Sequence, residues 1–329
     1  MTRDIAGAER LLEPLLALHD SIRGAVIEAC ERQTQEQLTV KAGDVGDTIY
    51  AIDRVGEEAL AHGLSALPAS EPVCVVAEGL AEPLVLPRGT REQDCRWRLL
   101  VDPIDGTRGL MYQKRSAWVL TGVAPNRGAA TRLSDIVLAA QTEIPVLKQH
   151  LGDQLWAVRG EGMQARRWNR LTGKTEPLVL RHSGAATIAH GFATVVRFFP
   201  GARDVLGAID DEIVQAVVTA EPGRAACFED QYASTGGELY ELVAGHDRFI
   251  ADLRPLVNPK GLCCHPYDLC TALVATEAGV IVTHPDGGAV DAPFDLTTDM
   301  TWVGYANEGL RRSIEPVMKS ILRRRGLLT

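Results

Sequence analysis

Aromatic residues and positive charge are scarce in this sequence. Aromatic side chains make up only 5% of the 329 residues, so the core has to be built mainly from Leu, Val, Ile and Ala. The formal net charge is −9, which argues against a nucleic-acid binder whose affinity comes from phosphate contacts. A small phosphate ester stays possible as a ligand, because bound metal ions can supply the positive charge that it needs.

Long apolar runs and regularly spaced cysteines are missing as well. No stretch approaches the ~20 apolar residues of a bilayer span, and no basic patch followed by an apolar run marks a secretory signal. The seven cysteines are odd in number and irregularly spaced, which favours reduced thiols. We therefore expect a cytoplasmic protein without membrane contacts. Cys263, Cys264 and His265 lack the Cys-x-x-Cys pairing of a zinc site, and we predict no metal there.

Hydrophobic periodicity predicts a chain of alternating helices and strands. Apolar positions three and four apart predict a first helix over 4–32. Further helices are expected over 48–64, 204–219, 235–244, 267–278 and 310–324. Short apolar runs predict strands over 73–77, 97–101, 117–124, 136–141, 155–159, 193–197, 226–229, 280–283 and 302–306, whereas 81–95 is interpreted as a loop. This mixture fits a layered α/β or α+β architecture.

The strongest chemical signal is the hexapeptide Asp102-Pro-Ile104-Asp105-Gly106-Thr107, which directly follows a predicted strand. Two carboxylates at a strand end can converge on a hard cation such as Mg²⁺, and the carbonyl of Ile104 can add a further oxygen ligand. If a helical turn begins at Gly106, the N–H groups of Gly106 and Thr107 can hold a phosphate. Asp-x-x-Asp alone is more often an Asx turn, but the whole hexapeptide at a strand end favours the metal site.

This hexapeptide resembles the signature of the inositol monophosphatase family, which includes bisphosphate nucleotidases and is related to fructose-1,6-bisphosphatases. Three further segments match the family in order. The segment from Asp47 to Asp53 resembles the family's upstream Asp pair, and the one ending in Glu78 resembles its Gly-Glu-Glu strand end. The segment that contains Asp268 resembles its Trp-Asp motif. The resemblance covers about residues 4–310.

The resemblance implies a catalytic centre with two or three Mg²⁺ ions. The implied metal ligands are Glu78, Asp102, the carbonyl of Ile104, Asp105 and Asp268. Thr107, paired with Asp53, would orient and deprotonate the attacking water, and Asp47 would assist through the outer shell or a weaker metal. A third ion would be weak or absent, because Gly79 stands where many members carry a second Glu.

Substrate contacts are implied by two other segments. Thr235 and Gly236 resemble the segment that touches the non-phosphate part of the substrate, although a helix N-cap at Ser234 or Thr235 explains the same residues equally well. Asp252 lies where the family often has an acidic residue that bonds substrate hydroxyls.

The resemblance implies an αβαβα layered sandwich of the sugar-phosphatase type, α/β (α+β) in class. We expect an N-terminal subdomain, 1–180, with most metal ligands and a C-terminal subdomain, 181–329, with Asp268 and the substrate contacts. The expected function is hydrolysis of a small phosphate ester, an inositol phosphate or a sugar phosphate, by metal-activated water. A homodimer and inhibition by lithium are implied by the resemblance alone.

Two other functions stay open. The chain could be a bisphosphate nucleotidase or a fructose-1,6-bisphosphatase-like enzyme, which would need a basic pocket for a second phosphate near Lys114, Arg115, Arg254 or Lys260. It could also be a weakly active family member that regulates a protein partner. The complete set of carboxylates argues against this last function.

Overall fold

Helices and strands alternate along the chain in a computed structural model that describes residues 7–32, 40–41, 49–65, 67–68 and 70–329. Asp47 lies outside the described residues. The helices are α1 (Glu9–Glu31), α2 (Ala51–Leu64), α3 (Thr107–Met111), α4 (Arg203–Val217), α5 (Thr235–Val243), α6 (Arg254–Val257), α7 (Ala272–Glu277) and α8 (Glu308–Arg324). None of these helices is both long and apolar enough to cross a bilayer.

The strands form two main sheets and a short hairpin. The hairpin pairs β1 (Val40–Lys41) with β2 (Ile49–Tyr50). The other strands are β3 (Val73–Ala77), β4 (Leu84–Leu86), β5 (Trp97–Asp105), β6 (Ala117–Pro125), β7 (Leu138–Ile144), β8 (Leu151–Val158), β9 (Met163–Asn169), β10 (Thr175–Pro177), β11 (Phe192–Val195), β12 (Asp247–Asp252), β13 (Ile281–Thr283) and β14 (Trp302–Tyr305).

The larger sheet has eight strands in the order β10-β9-β8-β7-β6-β5-β3-β4. Its neighbours are antiparallel except for β3 and β5, which run parallel. Every residue of β3 and β5 is buried, because helices cover both faces of this part of the sheet. Leu99 packs toward α1 and α2, whereas Leu100 packs toward the opposite face.

Helix α1 covers the first face with a continuous apolar stripe. Its buried residues Leu11, Leu15, Leu18, Ile22 and Val26 recur every three or four positions, which places them on one side of the helix. They form one hydrophobic cluster with α2 and with β3, β5 and β6.

The opposite face of the large sheet carries α5 and α7, and a second sheet lies beyond them. That sheet has four strands in the order β11-β12-β14-β13. Its outer face packs against α4 and α8, through buried residues such as Leu206, Ile209, Leu310, Ile314 and Met318. The layers therefore follow the order helix, sheet, helix, sheet, helix. This confirms the predicted αβαβα class.

The two sheets also follow one another along the chain. The strands of the large sheet end at Pro177, and those of the small sheet begin at Phe192. A single hydrophobic cluster nevertheless joins the large sheet, α5, α7 and the small sheet. The division into subdomains 1–180 and 181–329 stays a prediction.

Three predictions about local structure were wrong. The segment 226–229 forms no strand, and Phe228 makes only an isolated bridge with Phe192. The strand beside β11 is β12, which was not predicted. Its three apolar residues lie between charged ones and form too short an apolar run to indicate a strand. The predicted loop over 81–95 contains the edge strand β4. Helix α7 begins only at Ala272, because residues 266–271 form turns.

A buried histidine beneath the large sheet gives a prediction about stability. His19 of α1 is fully buried, with Nδ1 3.0 Å from Thr142 Oγ1 and Nε2 2.8 Å from Thr121 Oγ1. Burial, together with the charge of Arg23, lowers the pKa of His19 to about 3. Between that value and ~6.5, the unfolded chain binds a proton that the folded chain excludes, so stability falls as the pH falls.

We expect the free energy of unfolding to fall by roughly 2 kcal/mol through His19 between pH 7 and pH 5. Denaturant titrations of the wild type and of His19→Gln at several pH values measure this effect. The variant should be less stable at pH 7 but should show a shallower pH dependence over this range. Equal slopes for both proteins would contradict the assignment.

Candidate functional site

The candidate site lies at one edge of the large sheet. Glu78 follows β3, and Asp102 and Asp105 lie near the end of β5. Because β3 and β5 are parallel, their carboxyl ends meet at this edge. The N–H of Glu78 donates to the carbonyl of Val101 at 3.1 Å, which extends the pairing to the site itself.

A bulge at the end of β5 brings its two aspartates together. Asp102 pairs with Leu120 and Asp105 with Trp118, so three steps along β5 match two along β6. In a regular strand, residues three apart point to opposite faces, and the extra residue removes that conflict. Ile104 lies in the bulge and has no pairing partner in β6, and its N–H donates to Asp102 Oδ1 at 2.9 Å.

Asp268 joins the two strand aspartates from the second half of the chain. It lies in the turns before α7, where its Oδ2 accepts a hydrogen bond of 2.6 Å from the N–H of His265. One carboxylate oxygen from each of Asp102, Asp105 and Asp268 lies within 4.8 Å of the other two. The structure thus brings together three of the predicted metal ligands. Glu78 lines the same cavity.

The electrostatics of these carboxylates fit a bound cation. Burial raises the pKa of Asp102 well above its usual range, and the charge of Glu78 raises it further. Burial and the charge of Asp105 do the same to the pKa of Asp268. Buried like charges are costly unless a cation compensates them. The all-oxygen donor set is the kind that Mg²⁺ prefers.

Asp105 differs from its neighbours because helix α5 donates hydrogen bonds to it. The hydroxyl of Ser234 and the N–H of Gly236 donate to Asp105 Oδ2 at 2.8 and 2.6 Å. Burial raises the pKa of Asp105 to about 6, and these donors limit the rise. Ser234 also caps α5, because its Oγ accepts the N–H of Gly237 at 2.9 Å.

Gly236 is not among the residues that line the cavity, and its contact with substrate stays a prediction. A Cβ added there would lie 2.6 Å from Leu120 Cδ2 and 3.0 Å from Asp105 Oδ2. The glycine is therefore required for the close approach of α5 to Asp105. Thr235, in contrast, lines the cavity, and its contact with substrate stays a prediction.

Thr107 and Asp53, the pair predicted to orient the attacking water, lie next to each other. Thr107 Oγ1 lies 2.7 Å from Asp53 Oδ1 and 2.9 Å from the carbonyl oxygen of Ile104. Asp53 lies in the first turn of α2, 54 residues earlier in the chain. Gly106 has a φ of 93° and caps the short helix α3, so the chain turns sharply just before Thr107.

These residues line a cavity of about 280 Å³ with two chemically different walls. The acidic wall holds the carboxylates described above. The other wall includes Phe198, Phe199, Arg108 and Arg254. Sequence reasoning missed the two phenylalanines and Arg108. Arg254 was predicted only as one of four basic residues near a pocket for a second phosphate.

Asp252 does not reach the cavity, which corrects the prediction that it bonds substrate hydroxyls. Its side chain is fully buried. Both of its oxygens accept hydrogen bonds from Arg254, at 2.8 Å from Nε and 2.6 Å from Nη2. Arg254 lines the cavity, whereas Asp252 is not among its lining residues.

Glu57 is an additional carboxylate of the acidic wall. It lies one turn after Asp53 on α2, and burial and the charge of Asp53 raise its pKa. Its carboxylate fills the space beside Gly79, where a Cβ would overlap it. The chain thus lacks a second Glu after Glu78, but helix α2 supplies the carboxylate of Glu57 beside Gly79. The four-residue spacing from Asp53 was the available sequence signal.

Cys263, His265 and Asp299 form a second group of potential ligand atoms, which also lie within 4.8 Å of one another. The Cys263 thiol donates to Asp299 Oδ1 at 3.2 Å. Burial raises the pKa of Cys263 to about 12, so the thiol keeps its proton. A thiol–carboxylate hydrogen bond accounts for this contact.

Comparisons with known proteins establish the fold. A solved structure of Leishmania major fructose-1,6-bisphosphatase in holo form is similar over 96% of this chain and 94% of its own, with a TM-score of 0.70 and 12% identity. The extragenic suppressor protein SuhB from Bartonella henselae is similar over 94% of this chain and 98% of its own, with a TM-score of 0.64 and 18% identity. No protein-family model and no curated protein sequence matches the chain.

Proposed function

We propose that this protein is a Mg²⁺-dependent phosphomonoesterase that hydrolyses a small phosphate ester, an inositol phosphate or a sugar phosphate. The observation that carries the proposal is the convergence of Asp102, Asp105 and Asp268 from two distant parts of the chain. The shared fold adds support, since one of the two similar structures is named as a fructose-1,6-bisphosphatase. The resemblance of the sequence motifs to the inositol monophosphatase family points the same way.

The proposed ligands for two or three Mg²⁺ ions are Glu78, Asp102, the carbonyl of Ile104, Asp105 and Asp268. Bound Mg²⁺ lowers the pKa of water and neutralises the charge that develops on the departing ester oxygen. Asp102, the most deeply buried of the three clustered aspartates at 1% exposure, is the proposed bridging ligand. Glu57 stands beside Gly79, which has no side chain, and lines the same cavity as Glu78.

The pair of Thr107 and Asp53 orients the attacking water. The Thr107 hydroxyl has one proton, which it donates to Asp53 Oδ1 over 2.7 Å. Its oxygen then keeps a lone pair to accept a proton from a water in the cavity. The N–H groups of Gly106 and Thr107 are the proposed contacts to the phosphate, and Thr235 is the proposed contact to the rest of the ester. Water is the nucleophile, so we expect no phosphoenzyme.

The test is phosphate release from a panel of esters, with Mg²⁺ and with EDTA. The panel contains inositol monophosphates, sugar mono- and bisphosphates, adenosine 3′,5′-bisphosphate and glycerol 2-phosphate. We expect turnover of at least one ester that EDTA abolishes and added Mg²⁺ restores. Turnover that is insensitive to EDTA would contradict the metal assignment. Metal binding by calorimetry without turnover of any ester would favour an untested substrate or the function as a protein-binding regulator.

A cytoplasmic homodimer belongs to the same proposal and rests on the family resemblance. Light scattering of the purified chain measures the oligomeric state directly. A particle of twice the 35.6 kDa chain mass is expected, and a monomer at working concentration would contradict the dimer.

A further inference from the structure

We infer from the geometry that the cavity holds a subsite for a second anionic group of the substrate, with Arg254 as its recognition residue. The ligand is then a phosphate ester that also carries a phosphate or a carboxylate. This inference rests on the proposed function, because the first phosphate is assigned to the metal centre and to the N–H groups of Gly106 and Thr107. It adds the class of substrate.

The guanidinium of Arg254 is held in a fixed orientation at the cavity wall. Arg254 is only 6% exposed, yet it lines the cavity. Its Nε and Nη2 donate to the two oxygens of Asp252, and its Nη1 donates to the carbonyl of Leu262 at 3.2 Å. A bidentate pair of this kind fixes the plane of the guanidinium. Asp252 is therefore a positioning residue.

Arg254 retains donors for a ligand after these contacts. A guanidinium has five N–H groups, and three are used by Asp252 and Leu262. Within the part of the chain that the structure describes, this leaves one N–H on Nη1 and one on Nη2. The charge of Arg254 also lowers the pKa of Asp105 and of Asp268. The two remaining N–H groups of Arg254 thus lie near the proposed metal ligands, and no hydrogen bond joins them to Asp105 or Asp268 among the described contacts of Arg254.

The two phenylalanines also line the cavity, and each ring lies close to an arginine. The rings of Phe198 and Phe199 meet edge to face, with centroids 4.8 Å apart. Arg254 lies over Phe198 at 4.5 Å, and Arg108 lies over Phe199 at 5.5 Å. Stacking on a ring supports a guanidinium without using its N–H groups. Phe199 is therefore close to both arginines, since Arg254 is also 5.4 Å from its ring centroid.

The other basic residues considered from the sequence do not form this wall. Lys114, Arg115 and Lys260 are not among the residues that line the cavity. Arg115 is paired with Asp230 and lies over the ring of Tyr232. Among the described residues that line the cavity, the positive charge comes from Arg254 and Arg108. The cavity therefore contains both acidic and basic side chains, as a small ligand with two charged groups and bound metal would require.

The first test uses the wild-type enzyme and esters that differ in their second group. We would compare kcat/KM for p-nitrophenyl phosphate and glycerol 2-phosphate with that for 3-phosphoglycerate and fructose 1,6-bisphosphate. At least one doubly anionic ester is expected to be preferred by about 10- to 100-fold, the effect of charged hydrogen bonds. The carboxylate and bisphosphate arms distinguish the two kinds of second group. Equal values for all esters would overturn the inference, whereas no turnover of any ester would count against the proposed function itself.

The second test changes Arg254 and uses Lys260→Gln as the matched control. Arg254→Gln should raise KM for the preferred ester by about 10- to 100-fold. Arg254→Lys should lie between that variant and the wild type, because it keeps the charge but not the fork. The single variant Arg254→Gln leaves the carboxylate of Asp252 buried without a partner, which can disturb the fold. The double variant Asp252→Asn/Arg254→Gln removes the charge of both residues, so a defect that only the single variant shows is one of folding. An equal loss for p-nitrophenyl phosphate and the doubly anionic ester would overturn the role of Arg254.

Discussion

Replacing Asp102 with Asn is expected to lower kcat by about 1000-fold or more, because a bridging metal ligand would be lost. The substitution keeps the shape of the side chain, and Oδ1 can still accept the N–H of Ile104. The loss should therefore reflect the missing charge. Phosphate release at saturating Mg²⁺ and saturating ester measures it, with Asp286→Asn on the exposed surface as the matched control.

The same variant has a second, opposite effect on stability. Burial and neighbouring carboxylates raise the pKa of Asp102 in the folded state, so its charged form costs free energy as the pH rises above the unfolded value of ~3.9. Without metal at neutral pH, Asp102→Asn should melt at a higher temperature than the wild type, and the gap should close toward acidic pH. An inactive variant that is also less stable would mean a disturbed fold. Near wild-type turnover would contradict the metal site.

Replacing Thr107 with Val is expected to lower kcat by about 100-fold, since a positioned acid–base group contributes ~10²–10⁴-fold. Val fills the same space but has no hydroxyl to connect Asp53 with a water. KM should change little, because the pair is assigned to the water and not to the ester. Steady-state phosphate release gives both values.

Thr107→Ser is the matched control for this prediction. Serine keeps an oxygen that can reach Asp53 and the carbonyl of Ile104, so most of the activity should survive. Asp53→Asn should resemble Thr107→Val, and the double variant should be little worse than either single one, because the two residues act as a unit. Full activity of Thr107→Val would exclude the hydroxyl from the proton path.

The sequence was sufficient to predict which strand ends lie together at this edge of the sheet, because the relevant signals are local. Apolar runs that end at Glu78 and Asp102 are typical of buried strands, and parallel strands bring such ends together. The Gly and Pro of the hexapeptide restrict the backbone around the two aspartates. Asp268 was predicted only from the resemblance, since nothing local indicates which distant segment completes the cluster.

The positions of Arg254, Arg108 and Glu57 in the cavity could not be predicted from local signals in the same way. Arg254 meets the cavity because Asp252, two residues earlier, turns inward as its partner, and the sequence does not say which of the two faces a ligand. The contacts of Phe198 and Phe199 with arginines depend on how the two halves of the chain pack. Glu57 belongs to the site because Gly79 leaves room for it, which is a property of two elements and not of one.

Titration of metal-free protein with Mg²⁺, followed by calorimetry and by phosphate release from one ester, tests the central claim most directly. We expect binding and turnover to rise together with the same midpoint in the wild type. We expect both to be lost in Asp102→Asn and retained in Asp286→Asn. Turnover without added metal, or Mg²⁺ binding that saturates equally in Asp102→Asn, would contradict a catalytic metal centre at Asp102, Asp105 and Asp268.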